Sequence, residues 1–150
     1  MVKFTFTWKK NPDLSEEECE RHYRTVHTQL ARMAFQNIPS FRKYVQNKVR
    51  SCVVYDFNKW GEAHAAEPEF DRFVDLYFDS KDELEKAFAT PEMKACFEDH
   101  KNFMDTNVPA NVRVYEIEEV VPLKREEYTG QLCKGITPAD EGKFLIKSAK

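Results

Sequence analysis

His27 is the side chain whose type and setting most readily support chemistry. It stands one turn beyond Tyr23 and one turn short of Leu30, on the rim of an apolar helical stripe. An imidazole has an unperturbed pKa of roughly 6.5, so a histidine facing a pocket can take up and release a proton near neutrality. The competing role is structural: a core-edge histidine bonded to a backbone carbonyl. His22 lies five residues earlier, and on a regular α-helix that spacing does not bring two rings to one face. A shared metal ion is therefore not expected, and His22 reads as a surface residue.

Asp75 is the second position of interest, an acid in mid-strand with Phe73 and Tyr77 on its own face. It could orient His27, or serve as a base itself if the aromatic surroundings raise its pKa. It could equally be paired with Arg72 or Arg113. Tyr44 and Tyr23 could donate hydrogen bonds to a developing enolate or phenolate, or simply pack. Trp60, Tyr77 and His64 are candidate substrate contacts, with Trp60 and His64 in a loop that could act as a lid. His100, on an apolar helix face, reads more readily as a satisfied core histidine.

These residues need elements to hold them. Val2, Phe4, Phe6 and Trp8 alternate with polar residues, the period of a strand with two unlike faces. Asn11-Pro12-Asp13 is turn chemistry. Leu14-Ser15-Glu16-Glu17-Glu18 then opens a helix with a capping box between Ser15 and Glu18 and acids at its positive end. Cys19, Tyr23, Val26, Leu30, Met33 and Ala34 supply its buried stripe, and Ile38-Pro39-Ser40 ends it. Phe41 to Val49 reads as a strand, with Tyr44 opposite in facing to Phe41. Val53-Val54-Tyr55 either extends that sheet or starts a short separate strand.

Residues 56–68 form a loop too long for a tight hairpin. Phe70 to Phe78 is the next strand. Ser80-Lys81-Asp82-Glu83 and Thr90-Pro91 mark two helix starts, so the second helical region should be broken in two. Met93, Phe97, His100 and Met104 carry its apolar stripe, and Val112 to Val121 is the last strand. The order strand, helix, strand, strand, helix, strand predicts an α+β fold of ferredoxin-like βαββαβ type. Its sheet is antiparallel with both helices on one face. The other face carries Thr5, Thr7, Tyr44, Asp75 and Tyr77 and needs a cover, which a second copy closing a dimeric α/β barrel would supply.

Composition narrows the classes. A chain of 150 residues supports one compact domain, expected over 1–121, with an extension over 122–150 that packs on its own or a partner subunit. Within the extension, Phe144-Leu145-Ile146 is the segment expected to pin it. The formal net charge is −3 with the charges interspersed, which argues against nucleic acid as a partner. Residues 1–8 lack the apolar run of a signal peptide, no stretch is apolar enough to span a membrane, and the four cysteines show no metal-type spacing. A soluble, cytoplasmic protein is the expectation.

The strand Val2-Lys3-Phe4-Thr5-Phe6, the helix bearing His22-Tyr23-Arg24-Thr25-Val26-His27 with Leu30-Ala31, the segment Tyr44-Val45-Gln46-Asn47, and Phe70-Asp71 leading into Val74-Asp75-Leu76-Tyr77-Phe78-Asp79-Ser80 together resemble the EthD-domain family of dimeric α/β-barrel proteins. The resemblance spans Val2 to about Val121. It implies a homodimer with a cavity between each sheet and its helices, and acid/base chemistry without metal or organic cofactor on a small-molecule substrate. It places the family's helix histidine on His27. Its aromatic one turn earlier, commonly tryptophan, falls on Tyr23, and its strand acid, commonly glutamate, on Asp75. The expectation is a lyase or isomerase of the dehydratase/cyclase type acting on an aromatic, polyketide-like or lactone compound. His27, Asp75 and Tyr44 would be catalytic. A haem- or metal-dependent barrel enzyme and a non-catalytic ligand-binding protein are the alternatives.

Overall fold

The computed structural model describes residues 1–59, 61–82, 84–107, 112–127 and 137. In chain order the elements are β1 (Val2–Trp8), α1 (Glu16–His22), a π-helical segment (Tyr23–His27), α2 (Thr28–Phe35), β2 (Phe41–Lys48), β3 (Val53–Tyr55), β4 (Ala63–Ala65), β5 (Arg72–Phe78), α3 (Leu84–Phe88), α4 (Pro91–Phe103) and β6 (Arg113–Ile117). Residues 1–118 form one compact unit and 119–150 another, whose described part includes a 3₁₀ turn at Arg125–Glu127. Trp60 and the segment Phe144-Leu145-Ile146 lie outside the described residues.

β2, β5, β1 and β6 make one antiparallel sheet in that order, the ferredoxin-like arrangement. Among the described residues β3 and β4 pair only with each other, so Val53-Val54-Tyr55 begins a separate ribbon rather than extending the sheet. Antiparallel partners share a face, and the registers sort the sheet into two. Phe6, Trp8, Val74, Leu76 and Phe78 are buried toward the helices. Thr5, Asp75 and Tyr77 stand on the opposite face.

Tyr44 departs from the expected facing. A bulge between Phe41 and Lys43 inserts one residue into β2, so Phe41 pairs with Phe78 and Tyr44 with Leu76, and both side chains turn toward the helices. Strict alternation from Phe41 would have sent Tyr44 to the other side.

The helices begin where the capping chemistry puts them. Ser15 caps α1 with both arms of the box formed, Glu18 N to Ser15 Oγ at 3.1 Å and Ser15 N to Glu18 Oε2 at 2.8 Å. Thr90 caps α4 with Pro91 in its first turn. Beyond α1 the first helix differs from a regular one. The π segment rotates the buried face, so Cys19, Tyr23, His27, Ala31 and Ala34 are buried while Val26 and Met33 are largely exposed. The second helical region buries Met93 and Met104 as the expected stripe has them, but between them Cys96, Asp99 and Phe103 are buried while Phe97 is 39% exposed.

Candidate functional site

The chemistry gathers where the π segment crosses α4. The wider turn of a π-helix aligns residues five apart, so His22 and His27 come to one face, contrary to the regular-helix expectation. Both rings reach one carboxylate. His27 Nδ1 lies 3.0 Å from Asp99 Oδ2 and His22 Nε2 lies 2.8 Å from Asp99 Oδ1, which also accepts from Asn102 Nδ2 at 2.9 Å. The π segment is itself braced: the Tyr23 carbonyl accepts from Thr28 Oγ1 at 2.9 Å and from Gln46 Nε2 at 3.3 Å. β2 thereby holds the irregular turn in place.

Burial and pairing set the protonation states. His27 is only 4% exposed. That burial lowers its pKa, and the hydrogen bond and charge of Asp99 offset the effect only in part, so the ring is neutral at pH 7. Burial also works against the charge of Asp99, but hydrogen bonds from Asn102, His22 and His27 hold its pKa below the usual value. An ionised carboxylate only accepts, so Nδ1 of His27 carries the proton and Nε2 carries the lone pair. Burial, with His27 alongside, takes His100 down to about 4.

His27 lines an apolar pocket between the sheet and the helices, and its Nε2 lies 3.9 Å from the sulfur of Cys96 on the same wall. The pocket walls include Phe6, Trp8, Phe35 and Leu76, and half-exposed Phe88 and Phe97 are among its lining residues. The polar groups on that wall are few: Tyr23, Tyr44, His27, His100, Cys96 and the Trp8 indole. The Tyr23 hydroxyl lies near Tyr44 and Trp8, yet among the described residues neither it nor Trp8 Nε1 has a partner in hydrogen-bond geometry. Tyr44 Oη accepts from Gln46 Nε2 at 3.3 Å. Burial, joined for Tyr23 by the neighbouring Tyr44, raises both phenols, so each stays protonated and able to donate. Trp8, Tyr23 and Phe103 form an aromatic collar with centroids 4.9 to 5.4 Å apart, and Phe103 sits 4.6 Å from the His27 ring.

Of the residues singled out in the sequence, the structure brings His27, Tyr23, Tyr44 and His100 to this cavity. Asp75 is elsewhere. It lies across the sheet, accepting from Thr5 Oγ1 at 2.7 Å and Asn47 Nδ2 at 3.2 Å, with Lys3 Nζ at 3.7 Å. It cannot orient His27, and it is paired with Lys3 rather than with Arg72 or Arg113. Arg72 instead holds Glu16, Glu20 and Asp71 beneath the Trp8 ring. Tyr77 shares the face of Asp75, between Lys3 and Lys43, and His64 is exposed on the separate ribbon opposite Val54. Neither lines the cavity.

Sequence reasoning missed Asp99 and Cys96, and took His22 for a surface residue. A three-residue rhythm through Met93, Cys96, Asp99 and Asn102 was the available signal, since it puts an acid on a buried face where it needs a partner. Among the described residues no group of three or more His, Cys, Asp or Glu side chains could hold a metal ion, and no helix is long and apolar enough to cross a membrane.

The family model of the EthD domain matches residues 11–107. A solved EthD-family protein from Bacillus halodurans is 21% identical, covers 80% of this chain and 99% of its own, and superposes with a TM-score of 0.52. The Arabidopsis thaliana protein At3g17210 is 14% identical over 81% of this chain and 97% of its own, with a TM-score of 0.52. A dimeric ferredoxin-like protein from Thermobifida fusca, 12% identical, covers 77% of this chain and 88% of its own at a TM-score of 0.49. No curated protein matches at a significant level.

Proposed function

The chain belongs to the EthD domain family, and from that premise we propose that it is a small-molecule enzyme in which His27 moves protons on an oxygenated, largely apolar compound. One observation carries the reading. His27 Nδ1 is committed to Asp99, leaving Nε2 unprotonated on a residue that lines a cavity shared with Trp8 and Tyr23, whose indole N–H and hydroxyl complete no hydrogen bond of good geometry among the described residues. A base and a pair of donors set in apolar walls suit abstraction of a proton next to a carbonyl. The base takes the proton while the donors receive the charge that builds on oxygen.

The reaction class that fits is a lyase or isomerase step: dehydration, aldol-type cyclisation, lactone isomerisation or decarboxylation. No metal or organic cofactor is assigned a step. Tyr44, bonded to Gln46, is a further donor at the same wall. The orienting role expected of Asp75 belongs to Asp99.

Proton transfer can be tested before the natural substrate is known. Purified protein in D₂O should accelerate α-deuteration of an apolar aryl ketone such as propiophenone, read by NMR, and His27→Ala should abolish the acceleration while keeping the fold. No acceleration across a set of aryl ketones, or equal acceleration by His27→Ala, would remove His27 as the base. A protein that binds such ketones without exchanging their protons would be a ligand-binding protein instead.

A further inference from the structure

We propose that Cys96 is a nucleophile of the same cavity, and that it adds reversibly to α,β-unsaturated carbonyl compounds with an apolar aromatic body. The proposal rests on the reading of His27 as the cavity's proton carrier. α4 places Cys96 and Asp99 three residues apart on its buried face, and His27 bridges them. Asp99 Oδ2 is 3.0 Å from Nδ1 and Cys96 Sγ is 3.9 Å from Nε2. Carboxylate, imidazole and thiol thus stand in a line ending at the cavity wall. A nucleophile next to a base that is itself oriented by a third group is the arrangement that activates a weak nucleophile.

A second observation, independent of the thiol, points to the ligand's oxygen. Trp8 and Tyr23, 0% and 2% exposed, line this cavity, and among the described residues neither Trp8 Nε1 nor the Tyr23 hydroxyl, which stands beside Tyr44 and Trp8, completes a hydrogen bond of good geometry. A carbonyl oxygen that reached them would give both a partner. Cys19 shows the contrast, since it is equally buried but donates to the Phe103 carbonyl at 3.6 Å and lies outside the cavity.

The step balances without a co-reactant. His27 Nε2 takes the thiol proton as sulfur bonds to the β-carbon, and the double-bond electrons move onto the carbonyl oxygen as an enolate facing the two donors. The imidazolium then returns the proton to the α-carbon, leaving a saturated thioether ketone. Reversal expels the thiol. Burial pushes the Cys96 thiol up to about 11, so free thiolate is scarce at neutral pH and the adjacent base must do the activating. Only 6% of Cys96 is exposed, so a reagent must enter the cavity to reach it.

The test uses the full chain and 4-phenyl-3-buten-2-one, with borohydride reduction to fix the thioether, followed by intact-mass analysis and peptide mapping. The expected result is an adduct on Cys96, absent in Cys96→Ser and formed roughly 100-fold more slowly on Cys96 in His27→Gln. The saturated analogue 4-phenyl-2-butanone should protect Cys96 in the unsubstituted protein, a readout that needs no variant to fold. Labelling confined to cysteines other than Cys96, no protection by the saturated ketone, or equal Cys96 labelling in a folded His27→Gln would each overturn the proposal. If labelling fails while the unsubstituted protein still exchanges ketone α-protons, Cys96 alone is excluded. If both fail, the reading of the cavity goes with it.

Discussion

Asp99 decides which nitrogen of His27 is free, and much of the site's reactivity follows from that single hydrogen bond. Replacing it with asparagine keeps the volume but removes the charge that steadies an imidazolium, and it allows the opposite tautomer. Asp99→Asn should therefore slow ketone α-deuteration by at least about 100-fold with little change in binding. A rate within a few-fold of the unsubstituted protein would show that the carboxylate does not act through His27. His100 gives a second prediction. Its folded pKa of about 4 lies below an unfolded value near 6.5, so the unfolded chain gains a proton as pH falls through that window while the folded protein does not. Stability should be complete above about pH 6.5 and decline toward pH 4, by up to about 3 kcal/mol from this group. His27, also lowered, acts in the same direction. Urea unfolding at pH 7 and 4.5 should show the loss, and His100→Gln should shrink it; equal stability at both pH values would be the contrary result. At this scale the sequence exposed His27 through its place beside a strong helical stripe. It hid Asp99, because an acid on a helix looks solvated until its partner's position is known.

The first helix shows why a correct element can still misplace its residues. Its start was legible because Ser15 and Glu18 are local chemistry, and both capping bonds form. Its interior was not. A π turn leaves no period in the sequence, and its reason lies elsewhere in the chain: the amide nitrogen of Gln46 on β2 is within hydrogen-bond distance of the Tyr23 carbonyl, the Thr28 hydroxyl and the Tyr44 hydroxyl, among which it shares two N–H groups. A regular helix from Ser15 to Phe35 would carry His22 off the face of His27 and away from Asp99. Such segments are uncommon and concentrate at functional sites because the wider turn re-aims side chains. The β2 bulge acts likewise, turning Tyr44 into the cavity against simple alternation. Thr28→Val combined with Gln46→Leu would strip the Tyr23 carbonyl of both side-chain donors. The expected cost is about 1–3 kcal/mol in chemical denaturation, with slower proton transfer as His27 loses its aim. If stability falls and the exchange rate holds, the brace serves the fold and not the site.

At the scale of the whole molecule, the sheet's two faces have separate work, and the second face predicts a partner. The helix side carries the core and the cavity. The far side carries the row Val45, Asp75, Thr5 and Tyr115, with Phe73 and Tyr77 partly buried beside it and Tyr115 43% exposed. Within the row Asp75 is paired with Lys3 and bonded to Thr5 and Asn47, and the aromatic and aliphatic groups around this satisfied centre give way to exposed Lys43 and Arg113 on the two edge strands. Such a face suits an isologous contact with a second copy of the chain. Native mass spectrometry should then give twice the chain mass at micromolar concentration, with thermal stability that rises with protein concentration. Tyr115 is exposed on an edge strand, so Tyr115→Lys should cost the isolated fold little while setting two like charges across the two-fold axis. The expected product is a folded monomer. His27, Asp99 and Cys96 are all on the helix side within one protomer, so that monomer should still exchange ketone α-protons, although at lower stability. Loss of exchange on dissociation alone would mean that the partner completes the cavity, and an unsubstituted protein that is monomeric throughout would leave the far face to some other cover.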